Sequence, residues 1–234
     1  MTELSKYHGL GNDFLVAMAA DNAGLYPDRD LAVRLCDRRR GIGADGLIFG
    51  LDPDDPANDA QMVLLNSDGS AAEISGNGIR CLGQAMLRAR YPEGTQPEVG
   101  HALRIETAGG LRTLVVTGGD IHTDLWQDVD MGKVGAGPQA TPASLAYPAA
   151  RMATVDVGNP HLVLLVDDPA AVELEVDGPA LESGYPEGIN VSFIAASGPH
   201  SLDLAVWERG AGVTEACGSG ATGAAAAALD WGIV

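Results

Sequence analysis

Two stretches of this 234-residue chain open alike. One reads Ser75-Gly76-Asn77-Gly78 and the other Cys217-Gly218-Ser219-Gly220, and each starts a helical pattern, over Gly76–Ala89 and Gly218–Leu229. Upstream the spacing holds. Glu73 matches Glu215 and Asn66 matches Glu208, each behind an apolar strand, Met62–Leu65 or Leu204–Trp207. Earlier still, Gly11-Asn12-Asp13-Phe14-Leu15-Val16 matches Gly158-Asn159-Pro160-His161-Leu162-Val163, and Gly46–Phe49 matches Asn190–Phe193 more weakly. Matches in the same order in both halves point to duplication, and so to two similar α/β units related by a pseudo-two-fold axis. Gly118–Asp120 is the expected boundary, giving halves 1–117 and 118–234.

The other elements fit this plan. Short Val-, Leu- and Ile-rich stretches predict strands at Phe14–Met18, Leu47–Phe49, Met62–Leu65, Leu111–Thr117, Thr154–Val157, Leu162–Val166, Val191–Ala195 and Leu202–Trp207. A further helix is expected over Asp28–Arg39, with arginines at its C-terminal end. Asp52–Asp59, Tyr91–Gly100 and Gly132–Pro148 read as loops.

With 46% hydrophobic residues the chain can bury a core, and a formal charge of −18 opposes binding to nucleic acid or anionic lipid. No apolar run is long enough to span a membrane, and Met1–Leu10 has no signal-peptide core, which makes the cytoplasm the expected compartment. Cys36, Cys81 and Cys217 are too few, and odd in number, for a disulfide framework. Neither CxxC nor HExxH occurs, so no metal site is expected. Neither lysine, Lys6 or Lys133, sits in a Schiff-base motif, so nothing points to pyridoxal phosphate.

The chemistry lies at the two helix starts. The first N–H groups of a helix have no intrahelical partner and carry positive partial charge, so each start suits a carboxylate. The glycines let a ligand approach the backbone. The same field lowers a thiol pKa, which predicts a partly ionised Cys217. Two such sites on opposite faces of one carbon could invert it, one group removing a proton and the other returning one, while the helix N-termini stabilise enediolate charge. Each residue alone has a plainer reading. Gly-x-Gly at a helix start is common, and neither copy completes a dinucleotide or P-loop motif. A lone cysteine is more often a small core residue, and that reading wins for Cys36 and Cys81, which lie on apolar helix faces. For His161 a structural role is nearly as strong. Glu208-Arg209 could be a surface ion pair, but the match of Glu208 to Asn66 favours the site.

The motifs also carry a family resemblance. Lys6–Phe14, Cys36–Gly46 (CDRRRGIGADG), Asn66–Ser70, Gly76–Cys81, Gly158–His161, Gly188–Val191 and Glu208–Gly220 together resemble diaminopimelate epimerases, in family order from residue 6 to about residue 223. The resemblance implies an α+β fold of two pseudo-symmetric β-barrel-like halves, each wrapped around a central helix. It implies conversion of LL- to meso-diaminopimelate without a cofactor, in lysine and cell-wall precursor synthesis, by a cytoplasmic homodimer. Carried over, Cys217 is one acid/base. Asn12, Asn66, Asn159, Asn190 and Arg209 bind substrate, Gly76-Asn77 and Gly218-Ser219 hold the reacting carboxylate, and His161 and Glu208 orient or polarise the catalytic groups.

Two departures stand out. Where the family carries its second catalytic cysteine this chain has Ser75, a far weaker acid, and Cys81 is too far along the helix to replace it. Ser75 is open to three readings: an engineered Cys→Ser trap, a variant that uses Ser75 through its neighbours, or altered chemistry. The last keeps a hydroxyproline epimerase or dehydratase of the same superfamily as an alternative, and an impaired amino-acid binder is another. The sequence also stops at Gly232-Ile233-Val234, whereas family members continue through further strands, so uncovered sheet edges are expected.

Overall fold

A computed structural model describes residues 3–214 and 217–234, so the Glu215 half of the Glu73–Glu215 match lies outside the described residues. The chain forms two compact units, Met1–Gly132 and Lys133–Val234.

The first unit runs β1 (Ser5–Gly9), β2 (Asn12–Met18), α1 (Arg29–Cys36), β3 (Gly46–Leu51), β4 (Ala60–Asn66), β5 (Ala71–Ala72), α2 (Gly76–Arg90), β6 (Ala102–Thr107), β7 (Gly110–Gly119) and β8 (Leu125–Asp130). The sheet order is β1-β2-β3-β4-β6-β7-β8, with β5 beside β4. Helix α2 packs on β1 to β4 and also on β8, so it touches both ends of the sheet and the sheet curls around it. Helix α1 covers the opposite face at β3 and β4. Period-two alternation explains both layers. Phe14, Val16, Ile48 and Leu64 meet Ile79, Leu82 and Met86 of α2, while Leu15, Ala17, Leu47 and Phe49 meet Ala32 and Cys36 of α1. With both faces covered, β2 and β3 read as unbroken apolar runs. The β1–β2 turn is a two-residue hairpin loop, with Leu10 at φ 53° and Gly11 at φ 84°.

The second unit runs β9 (Gly135–Ala136), α3 (Pro142–Ala146), β10 (Arg151–Asp156), β11 (Pro160–Leu165), α4 (Leu174–Glu182), β12 (Asn190–Gly198), β13 (Ser201–Glu208), β14 (Gly212–Val213) and α5 (Gly218–Trp231). Its sheet order is β14-β13-β12-β11-β10-β9. Helix α5 packs on β10 to β13, and α4 on β12, β13 and β14. Val163 and Ile194 meet Ala224, Ala227 and Ala228 of α5, while Leu162, Leu164 and Phe193 meet Leu181 on the α4 side. Ala221, Ala225 and Leu229 of α5 are exposed.

The repeat is visible in the pairing. Strands β1 to β5 followed by α2 use the same partners and directions as β10 to β14 followed by α5. In one sheet Phe14 stands opposite Gly46, and Gly46 opposite Asn66; in the other His161 stands opposite Asn190. Those are the equivalences that the sequence matches require.

The units meet later in the chain than the expected 117/118 boundary. Gly118 and Gly119 have φ 159° and 84° and sit at a register shift in β7, so they form an irregularity within a strand, and β8 pairs back onto β7. Gly132–Pro148 is not wholly loop either, since β9 and α3 form there, the latter closed by a Thr141/Ser144 capping box.

Close approach of α2 to the sheet depends on Gly83. A Cβ there would stand 2.5 Å from Oε1 of Gln127 and 2.7 Å from Cδ2 of Leu114. Gly83→Val is expected to lower the stability of the first unit by about 2 kcal/mol, the usual scale of core overpacking. Urea unfolding followed by circular dichroism checks this, and an unchanged midpoint would refute the packing argument.

Candidate active site

Each central helix is capped by the residue that the sequence repeat singles out, Ser75 or Cys217. Ser75 is extended (φ −139°, ψ 118°), and its Oγ accepts the Gly78 N–H at 3.0 Å. Cys217 is extended too (φ −127°, ψ 107°), and its Sγ accepts the Gly220 N–H at 3.3 Å. A side-chain acceptor at this position satisfies one of the otherwise unpaired N–H groups of the first turn. The third helix residue is glycine in both copies for the same reason. A Cβ on Gly78 would stand 3.2 Å from Ser75 Oγ and 3.3 Å from Ile48 Cδ1, and one on Gly220 would stand 3.1 Å from Cys217 Sγ and 3.3 Å from Ser192 Oγ.

Around Ser75 the first unit builds a polar chain. Asn77, the second helix residue, donates through Nδ2 to Asn12 Oδ1 at 3.3 Å and accepts from Arg80. Asn12 donates in turn to Asp45 at 2.8 Å. Arg38 spans Asp45 and Asp13 at 2.7 and 2.6 Å, and Lys6 pairs with Asp13 at 2.9 Å. The Arg38 and Lys6 charges hold the Asp13 carboxyl well below the usual range against the opposing effect of burial. Asp45 and Arg38 stand out in the sequence only as parts of a motif, with no role assigned to either. Asn66 ends β4, and its side chain donates to Ser70 Oγ at 3.0 Å, within its own turn.

The second unit gathers more of the expected residues. Cys217 is 6% exposed, and Ser219 Oγ lies 3.6 Å from its Sγ. Asn159 Nδ2 reaches Ser219 Oγ at 3.5 Å, and Asn159 Oδ1 meets His161 Nε2 at 2.9 Å. Asn190 donates to the Pro160 carbonyl at 3.0 Å and accepts the Arg209 N–H at 3.1 Å, while the Arg209 guanidinium donates to the Glu187 carbonyl at 3.0 Å. Glu208 accepts from Thr214 Oγ1 and from the Cys217 thiol. Ser192 and Thr214 were not anticipated. A lone serine in the apolar strand 191–195 carries no signal until its register is known.

The electrostatics correct one expectation. The helix start was expected to ionise Cys217. Instead burial, then the Glu208 charge, push the thiol up to about 12, outweighing the Ser219 and Gly220 hydrogen bonds. Cys217 therefore rests as a thiol. Cys81 and Cys36 are pushed up to about 12 and 11, chiefly by burial, and both lie in core clusters, as the plainer reading had it. Among the described residues no group of three or more His, Cys, Asp or Glu side chains could hold a metal, and no helix is long and apolar enough to cross a membrane.

The diaminopimelate epimerase family model matches residues 4–136 and 153–233. This chain belongs to the diaminopimelate epimerase family. The diaminopimelate epimerase of Gloeothece citriformis is 39% identical over 94% of this chain and 80% of its own length. That of Nostoc punctiforme is 40% identical over 94% and 81%. A hydroxyproline epimerase from Agrobacterium vitis, solved with trans-4-hydroxy-L-proline, superposes with a TM-score of 0.72 at 20% identity, covering 99% of this chain and 77% of that one, which shows a shared fold.

His161 is fully buried, and burial, then the Arg209 charge, lower it to about 4. The unfolded chain, with a histidine pKa near 6.5, takes up this proton first, so stability is full above about 6.5 and falls as pH drops toward 4. The loss over that window is about 3 kcal/mol. Urea midpoints at pH 7 and 4.5 should show it in the wild type and a much smaller change in His161→Gln; equal changes in both would remove His161 as the cause.

Proposed function

We propose that this enzyme interconverts LL- and meso-diaminopimelate by moving the proton on the α-carbon, without a cofactor. Family membership supports the substrate, and one feature of the geometry supports the chemistry: a buried thiol caps a helix and donates to a carboxylate, Glu208. The α-proton of an amino acid is weakly acidic, so the site must both supply a base and spread the charge left behind. Glu208 accepts the Cys217 thiol proton, and the thiolate takes the α-proton and returns to thiol. The electron pair moves into the substrate carboxylate as an enediolate. The N–H groups of Gly76-Asn77 and Gly218-Ser219, at helix starts, suit that charge. Asn12, Asn66, Asn159, Asn190 and Arg209 supply donors and acceptors for the rest of the substrate, and His161 polarises the site through Asn159.

Inversion needs a second group to return a proton from the other face, and the candidate is Ser75. A serine hydroxyl that gives up its proton becomes an alkoxide, a far stronger base than a thiolate, so this half of the reaction is slow. The reading extends to the family's cytoplasmic homodimer, which gel filtration can test.

Proton NMR of diaminopimelate in deuterium oxide separates the two halves. The α-proton of one stereoisomer should exchange faster than it inverts. Ser75→Cys should raise kcat for epimerisation about 100-fold or more, and Cys217→Ala should abolish exchange to a similar degree, the scale of a positioned acid or base. Exchange that survives in Cys217→Ala would defeat this mechanism.

A further inference from the structure

Two polar atoms lie completely buried beneath the first turn of α5 with no hydrogen-bond partner: His161 Nδ1 and Ser192 Oγ, both on residues of 0% exposure. Such orphans are rare in folded proteins because each forfeits its bonds to water. These two share one face of the second sheet, on a diagonal across adjacent strands. In the parallel β11–β12 pair His161 stands opposite Asn190 and Val163 opposite Ser192. Alternation then puts His161, Val163, Asn190 and Ser192 on one face, the face Val163 turns to α5.

They are also complementary. Asn159 Nδ2 reaches Ser219 Oγ, so its Oδ1 is the atom that meets His161 Nε2. A carbonyl oxygen accepts, hence Nε2 carries the imidazole proton. Nδ1 of the neutral ring is then an acceptor without a donor, and Ser192 is a hydroxyl donor without an acceptor. The equivalent place in the first unit shows that the fold does not require a polar residue here. Ile48 lies against Gly78 as Ser192 lies against Gly220, and Phe14 occupies the position of His161.

We infer that the Ser192 hydroxyl is the donor to His161 Nδ1, and so a positioning residue for the Cys217 half of the site. It reaches Nδ1 by rotation about its Cα–Cβ bond or over one internal water; the donor is the same in either case. The bond completes a buried chain from Ser192 through His161, Asn159 and Ser219 to Cys217. With Nδ1 held as acceptor, Nε2 stays protonated, Asn159 cannot flip, and its amide keeps donating to the serine beside the thiol. The catalytic part of this inference rests on the epimerase reading; the tautomer does not.

The test is nitrogen NMR of histidine-labelled full-length protein, with Ser192→Ala as the variant. In the wild type the His161 pair should show protonated Nε2 and a hydrogen-bonded, unprotonated Nδ1. In Ser192→Ala the Nδ1 resonance should move to the position of an unbonded ring nitrogen, or the tautomers should mix, and Ser192→Thr should restore it. The melting temperature gives an independent sign. Deleting a truly unpaired buried hydroxyl raises it, whereas deleting the donor to Nδ1 lowers it, by about 3 °C. With both results as expected, kcat should fall with little change in KM. An Nδ1 resonance unmoved in folded Ser192→Ala, or a raised melting temperature, would overturn the inference whatever the activity. An unmoved resonance in Ser192→Ala, together with epimerase activity in the wild type, would leave the epimerase reading standing and this one refuted.

Discussion

On the proposed reading, the helix cap and the chemistry use the same atom. Cys217 Sγ and Ser75 Oγ each accept the N–H of the third helix residue, so each reactive atom is held within one turn of the amides that suit a substrate carboxylate. A cap of this kind is worth about 1 kcal/mol to a helix, and it fixes position as well as stability. The glycine three residues on fits this frame, because a Cβ there would press at 3.1 to 3.3 Å on the cap atom and on the strand beneath. The short motif that begins each helix therefore has one residue that caps it, one where glycine fits best, and amides between them that the proposed reading assigns to the substrate.

Given that shared frame, the contrast between the copies is informative. Phe14, Ile48 and Asn66 in the first unit occupy the places of His161, Ser192 and Glu208 in the second. The first set is apolar or neutral, while the second can titrate or donate. The two units share strands and caps, while the groups able to titrate or donate at these positions lie in the unit of Cys217. Ser75 is thus not the only asymmetry. Within its own unit the positions that serve Cys217 hold nothing able to take a proton from the serine.

What could be read from the sequence follows the same physics. Both central helices and the strands before them were legible, because caps, glycines and doubly buried apolar runs leave strong local signals. The exposed members of the first sheet were not. Strand β1 (Ser5–Gly9) is mostly polar, and β8 (Leu125–Asp130) alternates half-buried with exposed residues, so neither shows an apolar run. Missing β8 placed the boundary too early. Helix α4 has no side-chain cap and contains Pro179, which hid it as well. The named site residues were visible through motif and repeat, but not their states. Cys217 was expected to feel the helix start, yet burial and the neighbouring carboxylate decide its proton. Only the β11–β12 register puts Ser192 on the same face as His161.

The net charge of −18 looks unfavourable for a substrate with carboxylates, and the local structure shows why it is not. Fields from exposed carboxylates decay over about 8 Å at physiological ionic strength, while groups at a buried site are screened far less. Diaminopimelate carries two ammonium groups beside its two carboxylates, so at neutral pH its net interaction with a distant field is small. On the proposed reading, recognition comes from dipoles and charges fixed within each unit: helix-start amides, asparagines held by their own hydrogen bonds, and, in the second unit, the Arg209 charge near His161. Fixed donors of this kind need no reorganisation when charge develops on the substrate, which is the requirement for stabilising an enediolate. The surface can be acidic because the site does not depend on it.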